Sequence, residues 1–378
     1  MESRDKSSVV RHFSNVEDPR ANDRRRKHKL ADIMVLAICG VICGADDWVT
    51  IARFARDKKR WFGQFLELPH GIPSHDTFRR VFMLLNPHKF AEAFVEWIRA
   101  LSEGSKGALV ALDGKTLRRS FDRVREQAPI HLISAWCTKN RMTLGQYKVD
   151  GKSNEITAIP KLLELLDLRD CTVTIDAMGC QKSIAGNVRD AGADYMLALK
   201  SNHGDLYEDV KLYFETQASH DFAEFSGTLH QTVDADHGRI ETRKYAITAD
   251  IEWTGADAEW KDLAAIGMVE ATREINGKTS LEQRFYLTSF RGDAKQFAEL
   301  VRGHWQIENC AHWILDVAFR EDDSRARAGN SAENFALLRR IALNLLKNET
   351  SIKLGVKNKR LCAGWSEEYL LKVLAIGG

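Results

Sequence analysis

The chain has 378 residues, 44% hydrophobic and 29% charged, a globular composition that excludes disordered and fibrous classes. Its 55 Lys and Arg nearly balance 53 Asp and Glu, so the net charge of +2 makes no whole-chain case for a polyanionic partner. The longest apolar run, residues 33–45, is too short to span a bilayer and carries no signal-peptide cleavage site, so a cytoplasmic protein without a membrane partner is expected.

Charge is unevenly spread. The first hundred residues hold 18 basic and 13 acidic side chains, whereas 203–290 hold 8 and 17. Residues 1–104 read as an all-helical N-terminal domain. A basic arm, Arg24-Arg25-Arg26-Lys27-His28-Lys29, leads into an apolar helix, and Trp48, Ile51, Ala52, Ala55 and Phe62 recur at helical spacing between 48 and 65. Ser74 is placed to cap a further helix through Phe78, Val81 and Phe82. Arg53, Arg56, Lys58, Lys59, Arg60, Arg79 and Arg80 suit a DNA-binding domain of helix-turn-helix type, and equally the solvated face of a plain bundle.

A catalytic domain is expected over 105–347. Residues 108–113, 130–138 and 142–149 have strand composition, with Lys139-Asn140-Arg141 as a hairpin turn. Then come a helix over 155–166, a strand over 171–176, a helix over 181–190 and a strand over 195–199. The order β-β-β-α-β-α-β predicts a mixed sheet flanked by helices. Residues 203–290 read as an inserted, mostly β subdomain, with strands over 228–233, 239–247, 263–274 and 281–288. One helix is predicted over 294–317 and another over 332–347, and the tail 348–378 has no clear signal. Trp305 and Trp313 read as core. Seven scattered cysteines without a CxxC pair, Cys180 among them, read as packed thiols rather than a disulfide framework, zinc module or nucleophile.

Two aspartates stand at the polar ends of apolar strands, Asp113 in ALVALDGKT and Asp176 in CTVTIDAMG. A strand-end Asp followed by Gly also serves as a turn or helix-cap residue. Two carboxylates at neighbouring strand ends, however, face a ligand crevice and repel one another unless a proton or cation intervenes. Mg2+, a hard cation that takes carboxylate, water and phosphate oxygens, resolves that conflict. Glu308, on the predicted helix after the insertion, is the candidate third acid. Asp316 and the cluster Glu321-Asp322-Asp323 compete with it, the cluster reading as a solvated helix end.

At these residues the chain resembles the DDE transposases, whose fold is ribonuclease-H-like. More closely it resembles the H-repeat-associated (ISAs-type) insertion-sequence transposases. The matching segments are GIPSHDTFRRVF at 71–82, ALDGKTLRRS at 111–120, TIDAMGCQ at 174–181, LALKSNHGDL at 197–206, HGRIETR at 237–243, HWQIEN from 304 and HWILDVAFRED to 322. The resemblance implies an α/β, ribonuclease-H-like mixed sheet with a β-rich insertion, preceded by an all-helical domain. It implies a DNA transposase that cuts at element ends and joins them to target DNA, with Asp113, Asp176 and Glu308 as catalytic, metal-holding residues. In this reading two Mg2+ ions, replaceable by Mn2+, clamp the attacking and leaving oxygens, with Asp113 bridging them. In the broader group Tyr, Arg and Lys stand seven before, four before and seven after the final Glu; here those positions are Val301, His304 and Leu315, and Arg302 or His304 is the substitute phosphate contact.

The implied partners are double-stranded DNA, as terminal inverted repeats and target, and a second copy of the chain for synapsis. Lys115, Arg118, Arg119 and Lys200, at the rim of the expected crevice, are candidate phosphate contacts alongside Arg302 and His304. Two other readings are a non-transposing metal-dependent nuclease and an inactive DNA-binding relative.

Overall fold

The computed structural model describes residues 12–13, 15–20, 26–101, 107–121, 128–150, 155–236, 239–275 and 277–375. Arg24 and Arg25 of the basic arm, and the first two residues of the HGRIETR segment, lie outside the described residues.

The helical segment comprises α1 (Leu30–Ile42), α2 (Trp48–Asp57), the single turn α3 (Lys59–Phe62), α4 (His75–Leu84) and α5 (Pro87–Leu101). Strands β1 (Leu109–Thr116), β2 (His131–Cys137) and β3 (Met142–Val149) follow, then α6 (Glu155–Leu165), β4 (Thr172–Ile175), α7 (Lys182–Asp190) and β5 (Asp194–Leu199). The insertion carries α8 (Asp205–Ser219), β6 (Thr228–Asp236), β7 (Arg239–Thr248), β8 (Ala265–Ile275) and β9 (Lys278–Thr288). The chain continues with α9 (Ala294–His304), α10 (Trp313–Val317), α11 (Ser331–Asn348), α12 (Val356–Trp365) and α13 (Glu367–Leu374).

Among the described residues the strands form one mixed sheet in the order β3-β2-β1-β4-β5-β9-β8-β7-β6. The succession β-β-β-α-β-α-β and the helical start thus match the sequence reading of an α/β mixed sheet preceded by helices. The insertion differs from expectation. It opens with a 15-residue helix, and its strands extend the same sheet, because β9 pairs antiparallel with β5 from Met196↔Thr288 to Leu199↔Phe285.

The chain resolves into two compact units that interleave along the sequence. One comprises Met1–Gly104, Gly114–Asn154 and Glu308–Gly378; the other comprises Ser105–Asp113 and Glu155–Ile307.

In the first unit α1 is buried from Ile33 to Ile42, as a helix that is apolar all round must be. Ser74 caps α4, its hydroxyl accepting from the Thr77 amide at 3.3 Å. The hairpin β2–β3 turns through Arg141, whose φ of 52° is left-handed. The long helix α11 is anchored by buried polar groups. Asn334 donates to the carbonyls of Phe82 and Leu85 at 2.9 Å each, and Asn344 exchanges two hydrogen bonds with the backbone of Thr143. Beside them the fully buried Arg340 guanidinium meets the Glu321 carboxylate at 3.0 Å. Glu321 is therefore a core residue and not part of a solvated helix end, because it faces two buried guanidiniums, Arg340 and Arg339.

In the second unit β1 runs parallel to β4, and β4 parallel to β5. Helix α9 lays Phe297, Ala298 and Val301 against Met196, Tyr245, Val269 and Tyr286. Gly267 lets α9 approach this closely, since a Cβ there would lie 2.6 Å from the Phe297 ring. Four cysteines, Cys39, Cys137, Cys171 and Cys180, are buried thiols as expected, and the remaining three are half-buried.

Glu321→Ala should cost about 3–5 kcal/mol in urea unfolding, because it strands buried guanidinium charge. Pairing it with Arg340→Met should recover most of that loss. Equal stability of the single variant and the wild type would contradict this assignment.

Candidate metal centre

In the second unit's parallel core an acid follows directly on the last paired residues of β1 and β4. β1 and β4 pair in register up to Leu112↔Ile175, and the next residues are Asp113 and Asp176. Neighbouring strands lie about 4.8 Å apart, so the half-buried Asp113 and Asp176 are neighbours at the carboxyl limit of the β1–β4 pairing, where β4 ends and β1 runs on unpaired with it to Thr116. This is where sheets of this kind place their ligand crevice.

The electrostatics record the crowding. The Asp176 carboxyl is pushed above the ordinary range, first by burial, then by the charge of Glu155, then by that of Asp113. Hydrogen bonds from the backbone of Gly179 and Met178 oppose this shift; the Met178 amide donates to Asp176 Oδ1 at 3.2 Å, capping the turn at 177–179. Asp176 is thus a cap residue and a strand-end acid at once. Glu155, the first residue of α6, went unnoticed in the sequence because nothing local distinguishes it from any helix-starting acid.

His304, the last residue of α9, belongs to the same neighbourhood. Its Nδ1 lies 2.9 Å from Thr174 Oγ1, and Thr174 shares a strand face with Asp176. Burial lowers its pKa against the opposing pull of Asp113 and Asp176, which favours a neutral imidazole beside the two acids. His304 was expected as a phosphate contact; what it engages in this structure is Thr174.

Glu308 lies in the first unit. The expected continuous helix over 294–317 is broken: α9 stops at His304, residues 308–312 form a π turn, and α10 begins at Trp313. Such turns recur at functional sites because they re-aim side chains that a regular helix would carry past. Glu308 is exposed, with Oε2 3.3 Å from Nδ1 of the buried His312 one turn on. Trp305 and Trp313, expected in the core, are 48% and 58% exposed, a consequence of the same break. Trp305 lies under the Arg284 guanidinium at 5.1 Å.

The expected DNA contacts are mostly held by acids. Lys115 Nζ lies 2.6 Å from Asp316 and 3.8 Å from Asp322, and its side chain is only 11% exposed. Arg118 reaches Asp322 at 3.2 Å and Arg119 reaches Asp323 at 3.4 Å, both from exposed positions. Arg302 bonds Asp234 at 2.7 Å. Lys200 is exposed immediately after β5.

The donor set suits a hard divalent cation. It offers carboxylate oxygens, with the Asp176 carboxyl destabilised in its charged form by burial, Glu155 and Asp113, and no thiolate, since burial pushes the Cys180 thiol up to about 12.

A family model described as "Transposase DDE domain" matches residues 104–345, and one described as "DDE_Tnp_1-associated" matches residues 10–98. The chain is 40% identical to the "Putative transposase YncI" of Escherichia coli O157:H7, over 97% of this chain and 94% of that protein. It is 38% identical to the "H repeat-associated putative transposase YhhI" of Escherichia coli strain K12, over 98% of both chains. The cryo-EM structure of a piggyBac transposase synaptic complex with hairpin DNA aligns with 97% of this chain and 77% of its own, at 10% identity and a TM-score of 0.44, too loose a likeness to argue from.

Because the Asp176 pKa is raised on folding, the folded chain keeps a proton that the unfolded chain releases. Its contribution to stability therefore falls as pH rises from the ordinary value of 3.8 through the raised one, and stays lost at neutral pH. Asp176→Asn should flatten that decline and raise the unfolding midpoint at pH 7 in metal-free buffer, whereas added Mg2+ should stabilise the wild type alone. Parallel pH profiles for the two proteins would refute this.

Proposed function

The chain belongs to the DDE transposase family, and on that premise we propose that it is the transposase of an insertion-sequence element, cutting DNA at the element's ends and joining them to target DNA by two-metal phosphoryl transfer. The observation that carries this reading is the pair of carboxylates, Asp113 and Asp176, at the limit of the β1–β4 pairing, with the Asp176 pKa raised by burial, by Glu155 and by Asp113.

Asp113, Asp176 and Glu308 would hold Mg2+, or Mn2+ in its place, with His312 steadying Glu308. When bound, two such ions activate the attacking oxygen and neutralise charge on the transferred phosphoryl. The chain's own groups then have separate tasks. Asp113 and Asp176 fix oxygen ligands at the limit of the rigid β1–β4 pairing, where neither side chain can drift far. His304, kept neutral and tied to Thr174, walls the acids on the side of α9 without adding a cation that would compete for them. Lys200, exposed just beyond β5, contacts a DNA phosphate near the scissile bond, and Arg118, Arg119 and Arg302 exchange their acidic partners for phosphates as DNA enters. Lys115, the least exposed of these cations, keeps Asp316 and Asp322 from drawing metal away from the proposed site. Handling two element ends at once calls for at least a homodimer.

Asp113→Ala, Asp176→Ala and Glu308→Ala should each lower strand cleavage by at least about 10²–10³-fold, on the scale of removing one electrostatic stabiliser, with affinity for element-end duplexes nearly unchanged. Cleavage retained by either aspartate variant would sink the metal assignment. Wild-type product that stops at nicked DNA, with no joining to a target, would make the protein a nuclease instead.

A further inference from the structure

The first unit contains a cavity of about 360 Å³ that plays no part in the chemistry above. Its wall is drawn from α2 and the residues before it (Asp46, Asp47, Trp48), from Arg79 of α4, from the segment Ser324 to Ala328, and from Ser331 and Phe335 of α11. Three guanidiniums, Arg79, Arg325 and Arg327, therefore converge on it from two separate parts of the chain. The two acids in the wall are already engaged. Asp46 bonds Arg360 at 2.7 Å, and Asp47 caps α2, accepting from the Thr50 amide at 2.8 Å.

The arginines are held loosely by comparison. Arg79 meets Asp76 through Nε alone, at 3.4 Å. Arg327 donates Nε to the Arg119 carbonyl at 3.0 Å, and Arg325 makes no ion pair among the described residues. The cavity also takes in the first residue of α11, an 18-residue helix with no side-chain cap; the Asn330 side chain instead donates to the Leu85 carbonyl at 3.1 Å. The Ser331 amide donates to the Ala328 carbonyl at 3.0 Å, so what the helix start offers the cavity is the positive end of the helix dipole. Ser331 is 1% exposed and its hydroxyl has no hydrogen-bond partner, a cost that a ligand oxygen would remove. Behind Phe335 lies a further cation, Arg339, 1% exposed, stacked on the Phe335 ring at 4.2 Å, its guanidinium nitrogens without hydrogen-bond partners.

An uncapped helix start, an unsatisfied buried hydroxyl and several guanidiniums with donors to spare match the oxygens of a phosphate group more closely than any neutral ligand. We propose that this cavity is a phosphate-binding site, and that its ligand is a backbone phosphodiester of DNA held away from the catalytic acids. The choice of DNA as the phosphate's source rests on the function proposed above; the phosphate site itself does not.

The test uses the full chain and two probes, inorganic phosphate and a DNA duplex. Phosphate should raise the thermal midpoint of the wild type, and that increment should vanish in Arg79→Gln/Arg325→Gln and shrink in Ser331→Ala, a change that a merely structural serine would tolerate. The slope of log affinity against log salt for the duplex should become shallower by about 0.9 in the arginine double variant, one phosphate contact. It should stay unchanged in Arg169→Gln, which removes an exposed arginine of the other unit. A phosphate increment equal in all variants overturns the site. An increment lost with no change in slope overturns the DNA assignment and leaves a site for free phosphate. Wild-type protein with no duplex affinity overturns both the DNA assignment and the transposase reading, while the phosphate arm still judges the cavity.

Discussion

The parallel pairing of β1 with β4 is the constraint from which the function follows. The register sets Leu112 level with Ile175, so a chain that places an aspartate directly after each brings two acidic residues to one level at the limit of the pairing, although β1 itself continues to Thr116. Packing of the apolar strands below them makes that register stiff, because a one-residue slip would turn Val110, Leu112, Val173 and Ile175 to the wrong faces. The hydrophobic core therefore disfavours charge at its own edge, and the Asp176 carboxyl is raised first by burial and then by the charges of Glu155 and Asp113.

Much of this was legible before folding. Strand positions in the order β-β-β-α-β-α-β came from short apolar runs bounded by turns, and the two aspartates were conspicuous because each interrupts such a run at its end. Less legible were features that depend on partners distant in sequence. The break after His304 leaves no local mark: residues 294–317 contain no proline and keep an apolar rhythm, yet the helix yields to a π turn at Glu308. The insertion's strands gave no hint that they would join β5, since alternation announces a strand but not its neighbour. The tail folds as α12 and α13, held in part by Arg360, whose guanidinium reaches the Val41 carbonyl and Asp46 more than three hundred residues earlier. Thr174 and His312 acquire meaning only through His304 and Glu308.

Segment charge proved a coarse guide as well. The acidic stretch 203–290 contains Glu241, 1% exposed, with Arg239, Arg243 and Arg273 each within 2.9 Å of its carboxylate. Counting by segment cannot see that surplus of guanidiniums. Conversely, the basic residues after Asp113 are matched by Asp316, Asp322 and Asp323, which lie two hundred residues away in sequence. In both places the sheet and its flanking helices, not the local composition, decide which charges remain available to DNA.

The central claim is that Asp113 and Asp176 share a divalent cation. Anomalous diffraction from a crystal of the wild-type chain grown with Mn2+ addresses it directly. The account predicts a metal peak coordinated by oxygens of both carboxylates. A peak elsewhere, or none while the two carboxyl groups share a proton across a hydrogen bond, would contradict it.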